Sequence, residues 1–353
     1  MTSPRRQSTL PRRLVAGAVA LTACALGAGA LSATAPAGAA TLVYDPLTGT
    51  KVASVGPVVA IKVANTPQAR PQSGLRAADQ IWVEEQEGGW TRFIAIYASS
   101  YPIKVGPVRS GRETDLGVLP QFGKPGLAYA GADAPVAALI AASTRTVDLG
   151  KDAVVTGTSI RDTAYGTDRT RKIPYNFYTK ASVQRYWAAK AGATKPKPMG
   201  FVFGKPTAAG RATKSLNVVY APQTSMQAAW SAPLHAWVMY SDKKIMLDRE
   251  TKKPLTAKNI VVMRVAYTLS KLDRSHYSVP ILKTVGKGQA FVLRDGASWT
   301  GTWNRASLTA GTTLKDARGK VMTLAPGQTW VMLVPLGKSL TGKPAVLHSV
   351  TIR

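Results

Sequence analysis

Hydrophobic and polar positions change rhythm once along this chain, near its middle. "VGPVVAIKVAN" (Val55 to Asn65) is a β-branched run closed by the polar turn "TPQARPQSG", which predicts a buried strand. "DQIWVEE" (Asp79 to Glu85) and "TRFIAIYA" (Thr91 to Ala98) predict two more, and "QEGG" between them predicts a hairpin turn. A short helix is expected from Ser110 to Phe122, ended by Gly123-Lys124-Pro125, and "GLAYAGA" after it reads as a strand. "APVAALIAAS" (Ala134 to Ser143) reads as a helix with Pro135 in its first turn. In "TKASVQRYWAAKAG" the residues Val183, Tyr186 and Trp187 fall on one helical stripe, and Gly192 ends it.

The stretch "TKPKPMGFVFGKPTAAGRATKS" (Thr194 to Ser215) is rich in proline, glycine and lysine, which marks a boundary. Beyond it helical periodicity almost vanishes. "SLNVVYA", "AWVMYSD", "KIMLDRE", "NIVVMRVAY", "QAFVLRDG", "TGTWNR", "KVMTLAP" and "QTWVMLVP" read as short strands separated by turn residues. "GKGQA" at Gly286 resembles a nucleotide loop only superficially, because no helical pattern follows it, and a turn or bulge is expected there instead. The expected class is α+β: a mixed α/β N-terminal domain over 41–200, a linker over 201–215 and a predominantly β C-terminal domain over 216–353.

Residues 1–40 alter this picture by setting a compartment. "MTSPRRQSTLPRR" is basic, Leu14 to Leu31 is apolar, and Ala37 and Ala39 supply the small residues that signal peptidase requires. Arg12-Arg13 allows a twin-arginine reading, which the following residues match poorly, so a general secretory signal is expected. "LTAC", ending at Cys24, has the form of a lipobox, although the residues after it are more apolar than a lipoprotein tether. Free secretion and lipid anchoring at Cys24 both stand. Cys24 is the only cysteine, which excludes a disulfide and thiol chemistry from the mature chain.

The 353 residues carry a formal net charge of +28 at pH 7, with 45% hydrophobic and 18% charged residues. That is globular composition with ample core material. On an exported protein such a charge points to an anionic envelope polymer or lipid head groups, and export argues against nucleic acid. A lysine-rich surface that merely keeps the protein soluble is the competing explanation.

The stretch that most invites chemistry is "VGPVRSGRETDLG", Val105 to Gly117. Ser110 and Glu113 have the spacing of a capping box. Arg109 and Arg112 then oppose the helix dipole, unless an external anion or an internal acid such as Glu84, Glu85 or Glu87 answers them. Arg92, beside the Gly-Gly turn, belongs to the same expectation. Loop-like "SIRDTAYGTDRTRKIPYNFYT" adds Arg161, Asp162 and Asn176, with a solvated charge run as the alternative. His235, His276 and His348 lack metal-ligand spacing, so neither metal nor cofactor is expected. A carboxylate pair such as Glu84 with Asp133 is set by distance rather than spacing, and stays open. Trp299, Trp303 and Trp330 would suit either stacking on sugars or a β-domain core.

Taken together, "DPLTG", "ARPQSGL", "EGGWTRF", "VGPVRSGR", "PYNFYT", "AKNIVVM" and "LAPGQTWVMLVP" resemble the YerB-like family of bacterial exported lipoproteins, a two-part domain of unknown function. The resemblance implies this two-part architecture and an envelope location, and it favours the lipobox. Family members usually carry alanine where Gly111 stands and often histidine where Tyr175 stands. A tyrosine, with an ordinary pKa near 10, does not replace an acid–base histidine at neutral pH. The leading expectation is a non-catalytic binder in which Arg92, Arg109 and Arg112 hold an anion. Glu84 would orient a guanidinium and Asn176 would add a hydrogen bond. A hydrolase or transferase acting on a phosphate- or sugar-containing wall polymer is the second reading, with Asp133, Asp162 or Glu84 as acid or base. A scaffold for another envelope protein is the third.

Overall fold

The structure is a computed structural model that describes residues 42–272, 279–339 and 346–353. The leader with Cys24, and also His276, lie outside the described residues. Strands β1 (Val59–Ala64), β2 (Gln80–Glu85) and β3 (Thr91–Tyr97) form where the apolar runs predict them. β2 and β3 make the expected hairpin, with Glu84 opposite Arg92. Then follow α1 (Glu113–Val118), β4 (Gly126–Ala128), α2 (Ala134–Ala141), β5 (Val147–Asp148), α3 (Arg161–Ala164) and α4 (Ala181–Lys190).

The helix expected from Ser110 starts three residues later. Arg109 N donates to Lys62 O at 2.9 Å and Gly111 N to Gly131 O at 3.0 Å, which ties that backbone to neighbouring strands. The capping interaction therefore shifts: Arg112 N donates to Asp115 Oδ2 at 2.8 Å, while Glu113 reaches Ser270. Ser110 and Glu113 form no capping box.

The second half supplies β6 (Arg211–Ala212), β7 (Ser215–Ala221), β8 (Thr224–Ser231), β9 (Ala236–Ser241), β10 (Lys244–Ile245) and β11 (Thr256–Ala257). After them come β12 (Asn259–Val265), β13 (Gly286–Arg294), β14 (Ala297–Arg305), β15 (Thr313–Asp316), β16 (Thr329–Pro335) and β17 (Ser349–Ile352). "GKGQA" is strand, at the start of β13. Within 201–215, Phe203 bridges to Leu324 and β6 pairs with β14.

Both halves contribute to one eleven-stranded sheet, in the order β6-β14-β13-β12-β16-β2-β3-β1-β4-β5, with β15 on β14. The join is a parallel pairing of β16 with β2, Trp330 opposite Ile81. A six-stranded sheet, β10-β9-β8-β7-β17 with β11 on β9, is the second layer. Period-two alternation divides the large sheet between two cores. Ile61, Val63, Ile81, Val83 and Phe93 pack in one cluster with Val218, Trp237 and Met239 of the second sheet. Ala60, Trp82, Ile94 and Ile96 pack on the other side with Val118, Leu119 and Phe122, whose ring meets Trp82 edge-on at 6.0 Å. Full burial of a residue such as Phe122 contributes about 2 kcal/mol.

Candidate functional site

Charged strand residues interrupt the apolar pattern of that second face, and the most central of them is a lysine. Lys62 lies in the middle of β1, pairs in register with Ile94, and is fully buried. Alternation turns it to the same face as Glu84 of β2 and Arg92 of β3. Its ammonium meets Glu84 directly and Asp115 of α1 at 2.5 Å, both fully buried. Burial pushes the Lys62 amine down to about 8; Asp115 supports the charge, and Arg92 and Arg112 push further down.

The turn between β2 and β3 places the next acid. Gly88 and Gly89 hold φ of +71° and +68°, which glycine adopts without a Cβ clash, and the reversal closes with Gln86 N donating to Trp90 O at 2.7 Å. Glu87 on this turn receives two arginines. Arg112 is bidentate, Nε to Oε2 at 3.1 Å and one terminal nitrogen to Oε1 at 2.7 Å, and Arg92 binds the same Oε1. Burial alone would raise the Glu87 carboxyl, but Arg92 and Arg112 overcome it and hold it at about 2. Burial, then Arg112, lowers Arg92 to about 10 against the pull of Glu87.

The internal acid is thus Glu87. Glu85 lies 2.8 Å from His348, both buried. Glu84, expected to orient a guanidinium, is spent on Lys62 instead, because it points into the core rather than toward the turn. That placement also removes Glu84 from reach as an acid or base for a polymer.

Arg109 is the exception among the three arginines. Among the described residues its guanidinium pairs with no carboxylate; it lies over the Tyr175 ring at 5.6 Å from the centroid. It lines a cavity of about 150 Å³ together with Thr66, Gln86, Glu87, Trp90, Arg92 and Tyr175. Thr66 Oγ1 is buried there with no hydrogen-bond partner among the described residues. Burial lowers the Arg109 pKa, and Tyr175 and Glu87 oppose the shift.

The structure therefore brings Arg92, Arg109 and Arg112 together and leaves the other candidates apart. Asn176 does not line the cavity; its carbonyl accepts from Asp168 N at 2.7 Å. Arg161 and Asp162 are exposed on α3, and the Arg161 guanidinium lies 3.5 Å from Asp152. Asp133 accepts from Ala134 N at the start of α2. Among the described residues no group of three or more His, Cys, Asp or Glu could hold a metal ion. Sequence reasoning passed over Lys62 and Asp115. The available signal was a lone lysine inside "VVAIKVAN", whose position fixes its face.

Two family models match the chain in order. One is described as protein of unknown function (DUF3048), N-terminal domain, over residues 47–194; the other is its C-terminal domain, over 216–331. The protein named "Putative lipoprotein YerB" from Bacillus subtilis (strain 168) is 27% identical over 299 residues, covering 82% of this chain and 86% of that one. The crystal structure of YerB from Bacillus subtilis superposes with a TM-score of 0.71 at 25% identity, over 88% of this chain and 99% of that chain. Every residue of the arginine and lysine cluster falls within the N-terminal match. With both halves matched across more than half of its length, the chain belongs to the two-part DUF3048 family and is similar to YerB.

Proposed function

We propose that this protein is an exported binding protein of the cell envelope whose Arg109 cavity takes a phosphate or carboxylate group of an envelope polymer or lipid. The observation that carries this reading is Arg109 itself, a half-buried guanidinium with no carboxylate partner among the described residues, held over Tyr175. Thr66 Oγ1 adds a hydroxyl without a partner inside the same cavity. A planar guanidinium and a hydroxyl suit an oxyanion. Size narrows the ligand. At ~30 Å³ per water the cavity of about 150 Å³ has room for a few waters, so it admits one charged group of a larger molecule. Arg92 and Arg112 sharing Glu87 stiffen the wall, and with Lys62, Glu84 and Asp115 beside them three cations meet three carboxylates, which leaves Arg109 as the unbalanced charge. The "LTAC" stretch and the lipoprotein named among the relatives support attachment through Cys24, which would hold the cavity near the membrane surface.

Titration calorimetry of residues 41–353, one compact unit, with inorganic phosphate and with glycerol phosphate tests this reading. Saturable binding that Arg109→Ala abolishes, with the melting temperature unchanged, is the expected result. No binding by the intact chain, or equal binding by the variant, would overturn it.

A further inference from the structure

The second half carries a larger cavity, separate from Arg109, whose origin is visible in the strand register. Along its outer edge β14 pairs with β6 at Ala297 and Ser298 and with β15 from Gly301 to Asn304. Among the described residues Trp299 and Thr300, between these stretches, have no partner strand on that edge. The gap opens into a cavity of about 680 Å³, within the range of small-molecule sites of about 300–1,000 Å³.

Its lining combines three chemistries. Trp299 is half-buried, is fixed by Nε1 donating to Ala208 O at 3.0 Å with Gly210 against its benzene ring, and lines the cavity from the sheet face opposite Phe291. Trp303 and Trp330, by contrast, are core residues at 2% and 0% exposure. Arg211, Arg318 and Lys320 line the same cavity and are exposed, and among the described residues none pairs with a carboxylate. Arg211 donates to Ile352 O at 2.6 Å. Among the described residues Asp316 is the one acid in the lining. Its Oδ1 accepts from both Arg318 N and Lys320 N at 2.9 Å, which fixes the turn presenting those two cations. Its Oδ2 has no partner among the described residues.

A ligand for this surface needs a flat ring face for the indole, negative groups for three cations, and hydroxyl donors for Asp316. We propose that the cavity at the interrupted edge of β14 binds an acidic glycan: a sugar ring stacks on Trp299, its acidic substituents meet Arg211, Arg318 and Lys320, and its hydroxyls donate to Asp316. A single-stranded nucleic acid shares the rings and the charge, and base stacking on an aromatic residue is its usual mode. Asp316 favours the glycan, since a sugar chain carries free hydroxyls that donate to a carboxylate beside its acidic groups, whereas a DNA strand offers only phosphodiesters and ring oxygens along its backbone. The site is independent of Arg109.

Calorimetry with residues 41–353 would compare hexagalacturonate, maltohexaose, linear polyphosphate and a six-nucleotide oligo-dT. Hexagalacturonate should bind best, and Trp299→Ala should weaken it tenfold or more, as loss of one stacking contact implies. R318A/K320A, both exposed, should weaken it at least as much while leaving folding intact, and this variant decides the matter if Trp299→Ala unfolds. Maltohexaose binding as tightly would overturn the acidic part of the proposal. Polyphosphate binding as tightly and independently of Trp299 would reduce the site to bare charge. Oligo-dT binding as tightly with the same Trp299 dependence would reassign it to nucleic acid, and no binding of hexagalacturonate would end it.

Discussion

Arg92 and Arg112 in the first half and Arg318 and Lys320 in the second carry the same charge in opposite surroundings. The first two are nearly buried and share one carboxylate, whereas the second two stand in solvent beside an indole, with no ion pair among the described residues. Sequence alone makes the arginine-rich "VGPVRSGR" look the more functional. The structure assigns one of its two arginines, Arg112, to holding α1 and the β2–β3 turn on the sheet, because a buried guanidinium requires a counter-charge. Arg109 belongs with the second kind. Cations left unanswered by the fold are the ones free to meet a ligand.

Variants that remove one side of a buried pair should have the largest effect on stability. Lys62→Met leaves Glu84 and Asp115 buried without their cation, and should cost about 3–5 kcal/mol in urea unfolding. A cost below about 1 kcal/mol would contradict a buried triad. Glu87→Gln strands two guanidinium groups at a partly open turn and should cost about 3 kcal/mol.

The acid limb sharpens the same point. The Glu87 carboxyl drops from an ordinary 4.5 to about 2 on folding, so its contribution is complete above about pH 4.5 and is lost as pH falls through 2. Over that window the intact chain should lose about 3 kcal/mol more than Glu87→Gln, a difference that thermal melts at stepped pH would read. Parallel pH profiles would deny the pairing. At the small end, Arg109→Ala should change stability by less than ~1 kcal/mol, and R318A/K320A by within about 0.5 kcal/mol. A large loss from Arg109→Ala would move that residue into the structural group.

Much of the fold is legible in local pattern because β1, β2, β3, α2 and α4 are specified by their own residues. The β-branched run at Val59 and the stripe of Val183 and Trp187 are sufficient for two of them, although Tyr186, expected on that stripe, faces solvent. The start of α1 was not legible, since backbone bonds from Arg109 and Gly111 to Lys62 and Gly131 delay it. The parallel pairing of β16 with β2 was not legible either, because register between strands far apart in sequence leaves no local trace. At the site, the convergence of Arg92, Arg109 and Arg112 was readable. Which acid answered which cation was not, because Glu84, Glu85 and Glu87 are near neighbours that diverge to Lys62, His348 and the arginines. Trp299 differs from Trp303 only through a two-residue gap in edge pairing.

The most direct test of the division between structural and free arginines is a crystal structure of residues 41–353 grown with phosphate. The expected result is an anion held by Arg109 in the cavity beside Thr66 and Tyr175, with Arg92 and Arg112 still on Glu87. An empty Arg109 cavity, or an anion seated on Arg92 and Arg112 with Glu87 turned away, would contradict it.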